Sequence, residues 1–125
     1  LSICYDLRFA YLYRALAQAG AEILTVPAAF SPVTGKAHWE SLLRARAIET
    51  GCYVLAPAQT GQHSAGRGKE RQTYGHSLVI SPWGEVLADG GTEERTVLVE
   101  IDRSEVAQAR RKIAALCHDR EFEGP

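Results

Sequence analysis

Methionine is absent from all 125 residues and the first residue is Leu1, so the stretch reads as a piece of a longer polypeptide. Neither sign of charge dominates: 14 Lys and Arg stand against 15 Asp and Glu, for a net charge of -1. A nucleic-acid binder needs a basic excess or stripe, so no nucleic-acid partner is expected. Long apolar runs are lacking too. Residues 23–26 and 97–99 are strand-sized, far short of the roughly 20 residues of a membrane helix, and no signal peptide is visible, so no membrane partner is expected. Cysteine is scarce: the three present, Cys4, Cys52 and Cys117, are odd in number and widely spaced. That excludes the disulfide framework of a small secreted domain and points to a reducing, cytoplasmic setting. No Cys or His pair has zinc-ligand spacing, so neither a metal nor another cofactor is expected. What remains is 46% hydrophobic and 23% charged, the composition of a chain that buries a core.

The hydrophobic period alternates between strand-like and helix-like. Residues 1–4 read as the end of a buried strand. Leu12, Ala15, Leu16 and Ala19 then recur at helical spacing, with Gly20 as the stop. Residues 22–27 form an apolar, β-branched strand ending at Pro27. Residues 28–36, with Ser31-Pro32 and Thr34-Gly35, read as a loop. Trp39, Leu42, Leu43, Ala47 and Ile48 make the apolar face of a second helix that stops at Gly51. A strand over 53–56 follows, then a polar loop over 60–73, whose Gly66-Arg67-Gly68-Lys69 reads as a solvated excursion. Two strands flank Trp83-Gly84, and a third spans 96–101. Asp102 and Glu105 stand at capping-box spacing before a last helix carrying Val106, Ile113 and Leu116. The class is α/β in one unit, with short βα connections in the first half.

The most informative local pattern is Ile3-Cys4-Tyr5-Asp6-Leu7-Arg8-Phe9, a cysteine at a strand end immediately before a helix. Such a sharp turn exposes the side chain and aims the following backbone N–H groups at one point, where they can stabilise an oxyanion. Arg8 would favour the thiolate if it lay close. A buried structural cysteine fits the same placement. Cys52 opens an apolar strand and reads as core. Cys117 and His118 are adjacent on a helix and do not face each other. Phe30, Thr34, Gly35, His38, Trp39 and Glu40 form an aromatic and polar cluster after a strand end, where ligands collect in α/β folds. For Trp39 a core anchor and a pocket wall are both open; for His38, a cap or surface position and a catalytic role. Arg44, Arg46 and Glu49 read as a salt-bridged polar helix face.

These residues resemble the C-terminal half of a nitrilase-superfamily carbon-nitrogen hydrolase, in the branch of the deaminated glutathione amidases. The likeness runs through Ile3-Cys4-Tyr5-Asp6-Leu7-Arg8-Phe9, residues 17–24, Thr34-Gly35-Lys36-Ala37-His38-Trp39-Glu40 and residues 44–49. It continues through Ala58-Gln59-Thr60-Gly61, Tyr74-Gly75-His76-Ser77 and Ser81-Pro82-Trp83-Gly84. The resemblance implies half of a four-layer αββα sandwich, with residues 1–125 a partial carbon-nitrogen hydrolase domain. It implies Cys4 as nucleophile, the Tyr5 backbone N–H as part of an oxyanion hole, and Arg8, Phe30, His38 and Trp39 around the substrate. The family's general-base glutamate and its lysine precede the cysteine in sequence, so they are expected outside this chain. Glu40, Glu49 and Lys36 are not recruited in their place. Ala10 stands where many relatives have Pro, and the polar loop after Gln62 is longer than the resemblance leads one to expect.

The expectation is a Cys-dependent amidase that takes a small carboxylate-bearing ω-amide, such as a deaminated peptide, and releases ammonia through a thioester. The alternatives are another hydrolase of the superfamily, acting on N-carbamoyl amino acids or nitriles, or a non-catalytic piece. The 125 residues alone are expected to be inactive, and the full-length protein to form a homodimer.

Overall fold

The computed structural model describes residues 1–64, 70–121, 123 and 124; the excursion at 66–69 lies outside them. The chain enters beside strand β1, Ile23–Thr25, to which Ser2 and Cys4 donate in turn, at the carbonyls of Thr25 (3.1 Å) and Pro27 (2.8 Å). Spacing of two residues is that of a parallel ladder, but Pro27 has no N–H to return the bond, so no strand closes there. A 3₁₀ turn, Cys4–Arg8, follows, then helix α1, Ala10–Gln18. The single helix expected after the cysteine is therefore a tight turn followed by a helix.

Helix α2 spans Pro32–Thr50, four residues or more ahead of where the turn chemistry places its start. Ser31 caps it by accepting from Thr34 N–H, and Pro32 sits at the first helical position, where its missing donor costs nothing. Ser31-Pro32 is thus a helix start. At the far end Gly51 adopts φ 60°, the left-handed cap for which glycine is suited. The buried face carries Trp39, Leu43 and Ala47 as expected; Ile48 is half exposed, and Arg46 is buried with the apolar residues.

Strands β2 (Tyr53–Ala56), β5 (Leu78–Ile80) and β6 (Val86–Asp89) join β1 in one sheet of order β1-β2-β5-β6. The β1–β2 pair is parallel and the rest antiparallel, which is the change of character read from the chain's second half. Leu24, Val26, Val54, Ala56, Leu78 and Ile80 point into the core under α1 and α2. Ile23, Thr25, Leu55 and Val79, which alternate with them, are half buried on the opposite face. One helical layer and one sheet, with a second apolar sheet face, make half of an αββα sandwich.

Three further expectations change. Residues 60–73 contain a hairpin, β3 (Thr60–His63) with β4 (Arg71–Tyr74), where a loop is read from the sequence. Its ladder and the His63–Thr73 side-chain hydrogen bond (2.7 Å) hold it, so no apolar period betrays it. Residues 96–101 form no strand: Leu98 is 91% exposed and the segment joins no ladder among the described residues. The last helix, α3 (Ser104–Lys112), ends before Ile113 and Leu116, and Ile113 is exposed. Asp102 does accept from Ser104 N–H (2.8 Å). Glu105 instead takes the hydroxyl of Tyr53 (2.6 Å), and Asp102 N–H donates to that phenol. Burial and the bond to Glu105 push the Tyr53 phenol up to about 12. Among the described residues no helix is long and apolar enough to cross a membrane.

Gly35 lies where α2 presses on β4. A Cβ there would fall 2.2 Å from Cγ of Tyr74, in the first turns of a 19-residue helix. In an unconstrained helix interior alanine is favoured over glycine. Here the sign is expected to reverse: Gly35→Ala should lower stability by about 1–3 kcal/mol through overpacking, read as a fall in thermal midpoint.

Candidate active site

Cys4 has φ 46°, the left-handed region that a residue with a Cβ enters at a cost, and only His76 shares it among the described non-glycine residues. The turn that enforces it is bonded on both sides. Asp6 N–H donates to the Ile3 carbonyl (3.0 Å), Ile3 N–H donates to the Asp6 carboxylate (2.9 Å), and Phe9 N–H donates to the Asp6 carbonyl (2.9 Å). The turn thus holds the sharp bend read from the sequence, with Cys4 half buried. The N–H of Tyr5 makes no hydrogen bond among the described residues, while its ring lies exposed.

Beneath the turn, Arg46 of α2 is 4% exposed, and its Nε (3.1 Å) and Nη2 (3.0 Å) both donate to the carbonyl of Leu7. Its Nη1 reaches Glu49 at 2.8 Å, and its guanidinium lies 5.6 Å from the Tyr13 ring. The spacing reads correctly as an ion pair with Glu49. The polar-face reading is wrong for Arg46, whose charge is spent inside, on the turn that carries Cys4.

Cys4 opens into a cleft of about 550 Å³ at the C-terminal ends of β1 and β2. Pro27, Ala28 and Ala29 form one wall, Pro57, Ala58 and Gln59 the other, and Arg71 and Ser77 complete it. A parallel bridge between Ala28 and Ala58 carries the pairing past the strand ends, so this floor is backbone-bonded and its small side chains leave it open. Ser77 Oγ is committed to that backbone, accepting from Ala58 N–H (2.9 Å) and donating to the Ala58 carbonyl (3.4 Å). Next to it, His76 Nδ1 meets Asp89 (2.9 Å), which also accepts from Gly91 N–H (2.7 Å). Burial works to raise the Asp89 carboxyl; the Gly91 and His76 hydrogen bonds outweigh it and hold the group below its usual range.

The four residues expected around a substrate come together, but beside this cleft and not on its walls. Arg8 lies 5.5 Å from the Phe30 ring, 5.4 Å from that of Tyr5, and 3.4 Å from His38 Nδ1. Phe30 tilts against Trp39 at 4.9 Å. Trp39 is 1% exposed and donates its indole N–H to the His76 carbonyl (2.7 Å), so it anchors the core under the site. Of the three cysteines, Cys52 is fully buried and Cys117 is exposed away from the cleft. Gln59, Arg71 and Ser77 line the cleft without standing out in the sequence: Gln59 and Ser77 fall within matching stretches without a recognisable chemical pattern, and Arg71 sits in a segment read as loop.

Residues 1–111 match the family model for carbon-nitrogen hydrolases. The deaminated glutathione amidase of Homo sapiens is 52% identical over 120 residues, which are 96% of this chain and 36% of that protein. The crystal structure of the C. elegans NitFhit protein superposes with a TM-score of 0.89 at 48% identity, over 96% of this chain and 28% of that one. A mutant of the amidase from Nesterenkonia sp. AN1, carrying the acetamide moiety of fluoroacetamide on its active-site cysteine, superposes with a TM-score of 0.66 at 30% identity, over 88% and 40%. The chain therefore spans less than half the length of the relatives it matches. With a strained cysteine turn over an open cleft, half of an αββα sandwich, and a family match across most of its length, this chain belongs to the carbon-nitrogen hydrolase family.

Proposed function

We propose that Cys4 is the nucleophile of an amidase that cleaves a small carboxylate-bearing ω-amide, releasing ammonia where the amide is primary and the peptide amine where the substrate is a deaminated peptide such as deaminated glutathione. The observation that carries this is the turn itself. A cysteine is held at φ 46° over a cleft, and the next N–H has no partner among the described residues, the pairing of sulfur and unspent donor that acyl transfer requires. The relatives named deaminated glutathione amidase and the covalent adduct on the cysteine of the Nesterenkonia amidase support the same reading.

In the reaction the thiolate sulfur attacks the amide carbonyl carbon, and its oxygen gains charge facing the Tyr5 N–H. The carbon–nitrogen bond then breaks, nitrogen takes a proton and leaves as ammonia from a primary amide or as the amine from a peptide, and a thioester remains. Water adds to the thioester carbon, the carbon–sulfur bond breaks, and the products are a carboxylate and the free thiol. This chain supplies the sulfur, the oxyanion donor and the floor of the cleft.

The test is made on the full-length protein with four substrates: a monoamide of a dicarboxylic acid, a neutral primary amide, an N-carbamoyl amino acid and a nitrile. Ammonia should come fastest from the first, and acid-quenched samples should carry its acyl group on the Cys4 peptide by mass spectrometry. Preference for the nitrile or the carbamoyl compound would move the reading to another branch of the family. An acyl group that never appears on Cys4 would end it.

A further inference from the structure

Among the described residues, the walls of the cleft hold one charged side chain, that of Arg71; the others are apolar or neutral. Resting on the amidase reading above, we propose that Arg71 is the specificity-determining residue that takes the substrate's distal carboxylate. Arg71 is the first residue of β4, pairing with His63 across the hairpin. Side chains two apart on a strand share a face. Arg71 therefore lies on the face of Thr73, which is 4% exposed, and its side chain, itself exposed, lines the cleft. Two contacts fix the strand that carries it: Tyr74 N–H donates to the Phe30 carbonyl (2.9 Å), and the Tyr74 ring is packed on Gly35.

Arg71 makes a single long hydrogen bond, from Nη2 to the Ala29 carbonyl at 3.4 Å, and pairs with no carboxylate among the described residues. Its neighbour Glu70 is engaged by Gln62. A guanidinium carries five N–H donors in a planar fork that matches a carboxylate, so most of its capacity is open toward the cleft. Of the other polar side chains on these walls, among the described residues, neither replaces it, and Arg8, beside the cleft, is turned to His38 and to the Tyr5 and Phe30 rings. Ser77 is bonded twice to the backbone of Ala58, and Gln59 carries no charge. An anionic chain end is thus attracted to the Arg71 side of the cleft while the amide carbonyl lies at Cys4. A neutral amide gains nothing there.

The experiment compares Arg71→Ala and Arg71→Glu with the parent in the full-length protein, using the monoamide of a dicarboxylic acid and a neutral primary amide of equal length. For the anionic amide, kcat/KM should fall about 10- to 100-fold in Arg71→Ala, mainly through KM, and further in Arg71→Glu. For the neutral amide it should change less than about 3-fold. Equal losses on both substrates, or none on either, would overturn the assignment while leaving the Cys4 reading intact. Calorimetric titration with the dicarboxylate product provides a readout independent of turnover: its Kd should rise about 10- to 100-fold in Arg71→Ala, and an unchanged Kd refutes the role of Arg71 whatever the enzyme hydrolyses. Arg71 is exposed, so thermal midpoints should match the parent and exclude misfolding as the cause.

Discussion

Replacing Cys4 with alanine in the full-length protein is expected to remove ammonia release almost entirely, by about 10⁴-fold or more, the scale on which loss of a covalent nucleophile is felt. The fold should survive, because alanine keeps the Cβ and backbone and the turn is held by the Ile3 and Asp6 hydrogen bonds rather than by sulfur. Cys52→Ser and Cys117→Ser are the controls. Cys52 is 0% exposed and donates through sulfur to the Ala21 carbonyl (3.2 Å), so its serine variant should lose stability and keep turnover. Cys117 is exposed and its variant should match the parent in both. Ammonia release by Cys4→Ala within about tenfold of the parent would remove Cys4 from the mechanism.

The bend at Cys4 was legible because a strand-like run stops at one residue and a different period begins. Sheet character was legible for the same reason: residues buried on both faces, such as Tyr53 and Val54, leave a continuous apolar signature. What escaped the sequence depends on partners distant in the chain. Trp39 could face a pocket or a core at one and the same helical position, and the His76 carbonyl, 37 residues away, decides for the core. Residues 96–101 carry a strand's alternation but join no ladder among the described residues, because alternation records which side chains seek burial and not where a neighbouring backbone runs. The β3–β4 hairpin shows the converse, with backbone pairing and little apolar content. Arg71 and Arg46 are the two consequences at the site. An arginine in a polar stretch and another at ion-pair spacing both read as surface, and only the fold turns one toward a cleft and the other into the core.

Arg46 is where that difference should be largest in stability. Its guanidinium supplies both hydrogen bonds to the carbonyl of Leu7, a residue with 0% exposure, and lies against Tyr13, whose hydroxyl meets Ser2 Oγ at 2.7 Å. Ser2 Oγ donates to the Thr25 carbonyl in turn (3.1 Å), so the fork ties the cysteine turn, α1 and the entry to β1 into one network. In Arg46→Met the carbonyl is left without donors inside the core, at a cost of about 1–3 kcal/mol. Glu49 is half exposed and returns to water, so the lost ion pair adds little. With the altered packing around Tyr13, the total expected is about 3 kcal/mol, a drop of roughly 10 °C in thermal midpoint. Turnover should fall through kcat more than through KM, because a released Leu7 carbonyl loosens the turn that aims Cys4 and the Tyr5 N–H and leaves the cleft walls in place. Arg46→Lys should lie between, since one ammonium cannot serve the Leu7 carbonyl and Glu49 with the geometry of a fork. Glu49→Gln should cost less than either. A melting curve and a kcat for Arg46→Met that coincide with the parent's would show that the turn holds Cys4 without its arginine.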